Sequence, residues 1–155
     1  MKKTIRLALA LMMLLALCAC GQDEAPAPKK VELQPIYDSF LPSLPDMMIM
    51  DESIRLNLLG VKTEDCAQVI CAVAAVGLQA DEVWLIEAAG TEALENLKTL
   101  AENRLNAKKE ETSFYSPDQF AICEDGRILT EGNYLAFIVS PEADSFEAAF
   151  KDAMK

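Results

Sequence analysis

Cys66, Cys71 and Cys123 are the side chains inside this chain best suited to covalent or redox chemistry, because a thiolate is both a nucleophile and a metal ligand. Their spacing narrows that chemistry. Cys66 and Cys71 form neither a Cys-x-x-Cys redox pair nor a known metal spacing, and along an extended strand their α-carbons would stand roughly 16 Å apart, too far for a disulfide. A Cys66–Cys123 bridge stays open, and buried inert thiols are the simpler expectation. Met47, Met48 and Met50 surround Ile49, and thioethers can take a soft cuprous ion; with no histidine in the chain, a place in the core, a groove or a partner-binding lip is expected and no metal site. Among the carboxylates, Asp81, Glu82 and Glu87 flank one apolar segment, and Glu64 and Asp65 share a turn. Any two could exchange protons with a substrate, yet nothing selects a pair among 25 acidic residues, so solvated surface groups are expected. Trp84, Tyr134 and Phe137 can form an aromatic binding surface on a sheet or belong to its core.

The zero histidine count removes the commonest general base near neutral pH and the commonest transition-metal ligand. Neither a Ser-His-Asp nor a Cys-His system can be assembled from this chain, and no Gly-rich phosphate loop or calcium loop is present. No catalytic residue and no cofactor is therefore expected.

The covalent chemistry with a motif behind it is at Cys20. Lys2, Lys3 and Arg6 make a basic start, Ile5 to Leu17 is an apolar run without an acidic residue, and Leu17, Cys18, Ala19, Cys20 and Gly21 follow. This is a secretory signal whose end resembles the lipobox of bacterial lipoproteins. That resemblance implies cleavage between Ala19 and Cys20 and transfer of diacylglycerol, with palmitate-like acyl chains, to the Cys20 thiol. An ordinary cleaved signal and an uncleaved anchor are the alternatives, the latter set back by a run shorter than the roughly 20 residues of a spanning helix. Residues 1–19 would be the signal peptide and residues 20–32 the lipidated cysteine and tether. Residues 33–155 would be one domain.

Cleavage leaves 136 of the 155 residues, enough for one core. With Lys2, Lys3 and Arg6 gone the formal charge falls from −11 to −14, which disfavours nucleic acid as a partner and docking on anionic headgroups. The membrane contact is expected from the acyl chains on Cys20 alone.

These residues need elements to position them. Gly21 to Lys30 is polar, carries prolines and has no apolar periodicity, so it reads as a tether. Apolar spacing predicts a helix over Leu33 to Leu41, and a short helix over Ile54 to Leu59 with Asp51 and Glu52 before it and Gly60 after; a strand over Ile54 to Leu58 competes. Gln68 to Leu78 and Val83 to Ala88 read as a strand pair, with a helix over Glu64 to Val76 as the alternative. Leu94, Leu97, Leu100, Ala101 and Leu105 form one stripe of a helix from Glu92 to Lys108 capped by Thr91. Glu110, Glu111, Thr112 and Ser113 follow as a solvated loop. Ser116 and Pro117 start a helix to Glu124, Arg127 to Thr130 and Tyr134 to Ser140 flank a turn at Glu131, Gly132 and Asn133, and a last helix begins at Ser140, Pro141 and Glu142 and carries Phe146, Ala149, Phe150 and Ala153 inward. The expected fold is α+β: two layers, a mainly antiparallel four-stranded sheet made of two hairpins in a ββα-ββα order, with helices packed on one face and short N-terminal helices before it.

Ala80-Asp81-Glu82-Val83-Trp84-Leu85-Ile86-Glu87, then Glu102-Asn103-Arg104-Leu105, Tyr115-Ser116-Pro117 and Gly132-Asn133-Tyr134, resemble the small Gram-positive bacterial lipoproteins of the domain of unknown function 4358 family, over about Leu33 to Phe150. The resemblance implies a lipid-anchored extracytoplasmic domain and brings no activity, cofactor or site. The three inner cysteines are not part of its pattern. The reading that follows is a non-enzymatic binding or accessory module on the outer face of the cytoplasmic membrane, its partner an envelope protein, a peptide or a wall component. The alternative is an envelope enzyme or thiol redox factor using Cys66, Cys71 or Cys123.

Overall fold

Glu131 and Tyr134 face each other across Gly132 and Asn133, and Gly132 sits at φ 58°, a value that residues with a β-carbon rarely adopt. This tight turn sets the register of the hairpin formed by β4 (Arg127–Glu131) and β5 (Tyr134–Val139). The computed structural model describes residues 30–155; the expected signal peptide, Cys20 and most of the expected tether lie outside them. A second pair joins β2 (Cys66–Ala74) to β3 (Glu82–Ala88). The helix alternative over residues 64–76 does not form, because β-branched Val69, Ile70 and Val73 pack on a pleated surface better than on a helix, and its start is a single 3₁₀ turn at Thr63–Asp65.

The described residues hold five strands and not four, all antiparallel, in the order β1-β2-β3-β5-β4. The added strand is β1 (Met47–Ile49), which pairs with β2 from Met47 opposite Ala74 to Ile49 opposite Ala72. Three residues are too few to show an alternating pattern in the sequence.

Helices cover both faces of the sheet, which corrects the two-layer expectation. Side chains alternate along a strand, so Val83, Leu85, Ala136 and Ile138 enter one cluster, and Trp84, Ile86, Leu135, Phe137 and Val139 the other. Both central strands are apolar on both faces, as buried strands are. On the first face lie α1 (Leu33–Phe40) and, near the C-terminus, α5 (Ala143–Ala153), where Phe40 stacks on Phe146 with ring centres 4.2 Å apart. The second face is covered by Leu59 of α2 (Glu52–Leu59), by α3 (Thr91–Ser113) and by α4 (Pro117–Glu124), and there Trp84 meets Phe137 at 4.7 Å. The elements differ from the expected ββα-ββα order: β1 and α2 precede the first strand pair, and two helices, α3 and α4, stand between it and the second. The helices α3 and α5 that follow the two pairs lie on opposite faces of the sheet.

Local signals set most element ends. Asp51 accepts a hydrogen bond from the Ile54 amide, Gly60 closes α2 at φ 75°, and Ser116 caps α4 through the Gln119 amide. Thr91 is the first helical residue and makes no side-chain cap. At the other end α3 runs through Glu110 to Ser113, the stretch expected as a loop, and Thr112 is buried there with its hydroxyl donating to the Lys108 carbonyl at 2.7 Å. The last helix starts at Ala143, because the Ser140 hydroxyl accepts from the Glu142 amide and holds a turn instead.

Gly126 links α4 to β4 where a β-carbon would meet Leu105 Cδ1 at 2.6 Å and the Cys123 carbonyl oxygen at 3.1 Å. Gly126→Ala is expected to cost about 1–3 kcal/mol through overpacking. Gly77→Ala, with nothing within 4 Å of its added carbon, should stay within about 0.5 kcal/mol of wild type. Urea midpoints of the two variants measure the contrast.

Candidate functional site

Glu82 begins β3 and is fully buried, at 0% exposure. An unpaired carboxylate in that position would cost several kcal/mol. Instead, Oε2 accepts from Arg104 Nη2 at 2.8 Å and Lys108 Nζ at 3.0 Å, and Oε1 from Arg104 Nε at 3.0 Å and Trp84 Nε1 at 2.8 Å. Arg104 and Lys108 stand four residues apart, on one face of α3. Burial by itself would raise the Glu82 pKa, but the Arg104 hydrogen bond and the Lys108 and Arg104 charges outweigh it and hold the carboxyl below its usual 4.5. Burial also works against charge on Arg104, and the bond to Glu82 reverses this and lifts the guanidinium above its ordinary value. Next to it, Asp81 is buried, and burial raises its pKa against the opposing pull of a Ser140 hydrogen bond and the Lys108 charge.

A cleft of about 130 Å³ opens beside this ion network. Arg104, Lys108, Thr112 and Tyr115 line one wall, and Gly77 and Gln79 of the β2–β3 connection line the other. Next in the chain to its lining residues stand exposed apolar side chains: Val76 and Leu78 on either side of Gly77, with Leu78 71% exposed, and Phe114, 84% exposed, before Tyr115.

The aromatic and methionine residues singled out in the sequence do not form one surface. Trp84 and Phe137 are fully buried on the α3 face, and Met50 is buried in the same cluster. Tyr134 lies on the other face, where its hydroxyl accepts from the Val31 amide at 2.9 Å. Met47 is half-buried against that cluster, and Met48 is 46% exposed on the edge strand. The aromatic rings are core because β3 and β5 are inner strands of a sheet covered on both sides. The expectation of solvated carboxylates fails at Asp81 and Glu82 for the same reason. The signal that could have marked Glu82 is an acid opening a largely apolar strand, with two cations at helical spacing on the next helix.

Cys66, Cys71 and Cys123 are free thiols, the last two buried. A bulge between Cys66 and Gln68 shifts the register and returns Cys66 to the face that holds Cys71. The Cys66 thiol donates to the Lys62 carbonyl, and burial pushes its pKa up to about 11 against the lowering charge of Arg55. Burial pushes Cys71 up further still. Among the described residues, no group of three or more acidic or cysteine side chains is placed to hold a metal ion, and no helix is long and apolar enough to cross a membrane.

The family model of Domain of unknown function (DUF4358) matches residues 43–140, more than half of the chain, and the chain belongs to that family. The match spans all five strands, Glu82, both cations and the cleft. No curated protein and no solved structure matches the chain.

Glu82→Gln leaves Arg104 and Lys108 buried without their anion, and the expected loss is about 3–5 kcal/mol. Because the folded-state pKa of Glu82 is depressed, its stabilisation is fully present above the ordinary value of 4.5 and is lost as the pH falls further. Urea unfolding followed from pH 7 to pH 3 should therefore show a steeper acid loss for wild type than for the variant. For the thiols, the thiolate is the reactive form, so Cys66 should alkylate on the order of 10²-fold more slowly than an ordinary thiol at pH 8. Peptide mapping after iodoacetamide, with and without urea, measures this.

Proposed function

We propose that this family member is a lipid-anchored extracytoplasmic module of the cell envelope that binds a partner and catalyses no reaction. The observation that carries the binding reading is a cleft lined by exposed Tyr115, with exposed Val76, Leu78 and Phe114 next in the chain to its lining residues Gly77 and Tyr115. Grouped, water-facing apolar side chains beside a concave surface are the usual mark of an interaction site. The polar wall of the cleft is committed to structure. Glu82 is saturated with hydrogen bonds, and its depressed pKa makes it a poor proton carrier near neutrality.

The anchor is read from the sequence: the basic start, the apolar run and the Leu17-to-Gly21 motif support acyl chains on Cys20. The domain would stand on the outer face of the cytoplasmic membrane, on a tether that would reach on the order of 30 Å over the ten residues from Gly21 to Lys30. A domain of this size fits a protein segment, a peptide or a wall fragment better than a solute held between two lobes.

Full-length protein carrying benzoylphenylalanine at Phe114 or Leu78, irradiated in its own membrane, tests this. Adducts with an envelope protein or wall fragment at both positions, and none at exposed Lys98 on α3, are expected, on a chain whose intact mass begins at Cys20 and includes diacylglycerol. No adduct at either Phe114 or Leu78 overturns the binding reading, and a chain without acyl mass overturns the anchor.

A further inference from the structure

The two edges of the sheet differ in how they are finished. On β4 the outer edge is polar, with Arg127 tied to Asp144 at 2.9 Å and Glu147 at 3.4 Å and with exposed Thr130 and Glu131 at its end. Such charges guard an edge against further pairing. The β1 strand itself carries no charged residue. Met50 donates to the Cys71 carbonyl and Ala75 to the Asp46 carbonyl, so with a period of two, residues 46, 48 and 50 turn their backbone groups toward β2. Met47 and Ile49 turn theirs away. Both amides and both carbonyls point outward with no partner among the described residues, next to the exposed side chains of Met48 and Ile49, at 46% and 56%.

We infer that β1 is a docking edge that takes one extended segment of a partner protein as a sixth strand, a segment with apolar residues at alternate positions and Lys or Arg at its ends. The backbone groups at Met47 and Ile49 supply up to four hydrogen bonds, and Met48 and Ile49 offer apolar contact on the two faces. Charge selects the occupant. Asp46, Asp51 and Glu52 flank the strand and are exposed, while the one cation between Leu44 and Gly60, Arg55, is buried. A basic segment is attracted there. A second copy would bring the same three carboxylates and the same net negative charge. The inference rests on the binding-module reading but uses a surface separate from the cleft, so adducts at Phe114 keep that reading standing if β1 fails.

The test uses full-length protein in detergent and the peptide Lys-Lys-Val-Thr-Val-Thr-Val-Lys-Lys, with a companion in which glutamate replaces every lysine. Amide exchange at Met47 and Ile49, read by NMR, should slow at least tenfold with the lysine peptide and not with the glutamate peptide. Ile49→Pro removes an outward donor and no bond to β2, and should abolish the effect on Met47 while leaving the urea midpoint near wild type. If that variant unfolds, a lysine peptide N-methylated on its hydrogen-bonding side must fail to slow exchange. Unchanged exchange, equal slowing by both peptides, slowing without peptide that tracks a doubling of mass, or slowing caused by anionic vesicles instead would each overturn the inference.

Discussion

The carboxylate of Glu82 has no access to water, and the arrangement of the domain around it follows from that constraint. Four donors must reach two oxygens, and they come from Trp84 on the same strand and from Arg104 and Lys108 on α3. A helix that must deliver two cations four residues apart to one buried point is fixed in rotation and in height along the sheet. That setting turns Leu94, Leu97 and Ala101 onto the Trp84 face and carries the helix on to Ser113, beyond the end of its apolar stripe. Phe114 and Tyr115 then emerge beside the β2–β3 connection. A well-packed apolar trio could match the net stability of such a network, so its distinct contribution is register.

The second constraint is a sheet that is apolar on both sides. Because Val83 to Ile86 and Leu135 to Val139 are buried throughout, one layer of helices cannot cover them, and α1 and α5 close what α3 and α4 leave open. The stacked Phe40 and Phe146 bind the first helix to the last. The two ends of the second compact unit, Val31–Lys155, are therefore drawn into one core, and Val31, where that unit begins, is held by the Tyr134 hydroxyl.

Elements whose signal is local were legible. Asp51 and Gly60 bracket α2, Ser116 and Pro117 start α4, Gly132 and Asn133 turn the second hairpin, and the leucines of α3 repeat at helical spacing. What was not legible depends on partners far along the chain. Three residues make β1 a strand only because β2 offers its edge. Glu82 resembles any surface acid until α3 arrives. The continuous apolar runs of β3 and β5 did carry a signal for two-sided burial, one that alternation-based reading of hairpins passes over. For the candidate site, the residue types were in view and their grouping was not, since Trp84, Tyr134 and Phe137 divide between two faces according to strand parity and register.

The cysteines show how far one residue type is decided by its surroundings. For Cys20 the proposed lipidation rests on neighbours within a few positions, the Leu17-to-Gly21 motif. For Cys66, Cys71 and Cys123 the deciding neighbours are distant. Trp84 pairs across from Cys71, and Ala88 across from Cys66 beside the bulge. Burial keeps Cys66 and Cys71 protonated even though the Arg55 charge pulls their pKa values down. Arg55 is itself confined, with Nη2 bonded to Thr63 at 2.9 Å and Nε buried without a partner, so it cannot turn its full fork toward either sulfur. Desolvation therefore wins over the one favourable charge nearby, and in these surroundings a thiol fills space in the core.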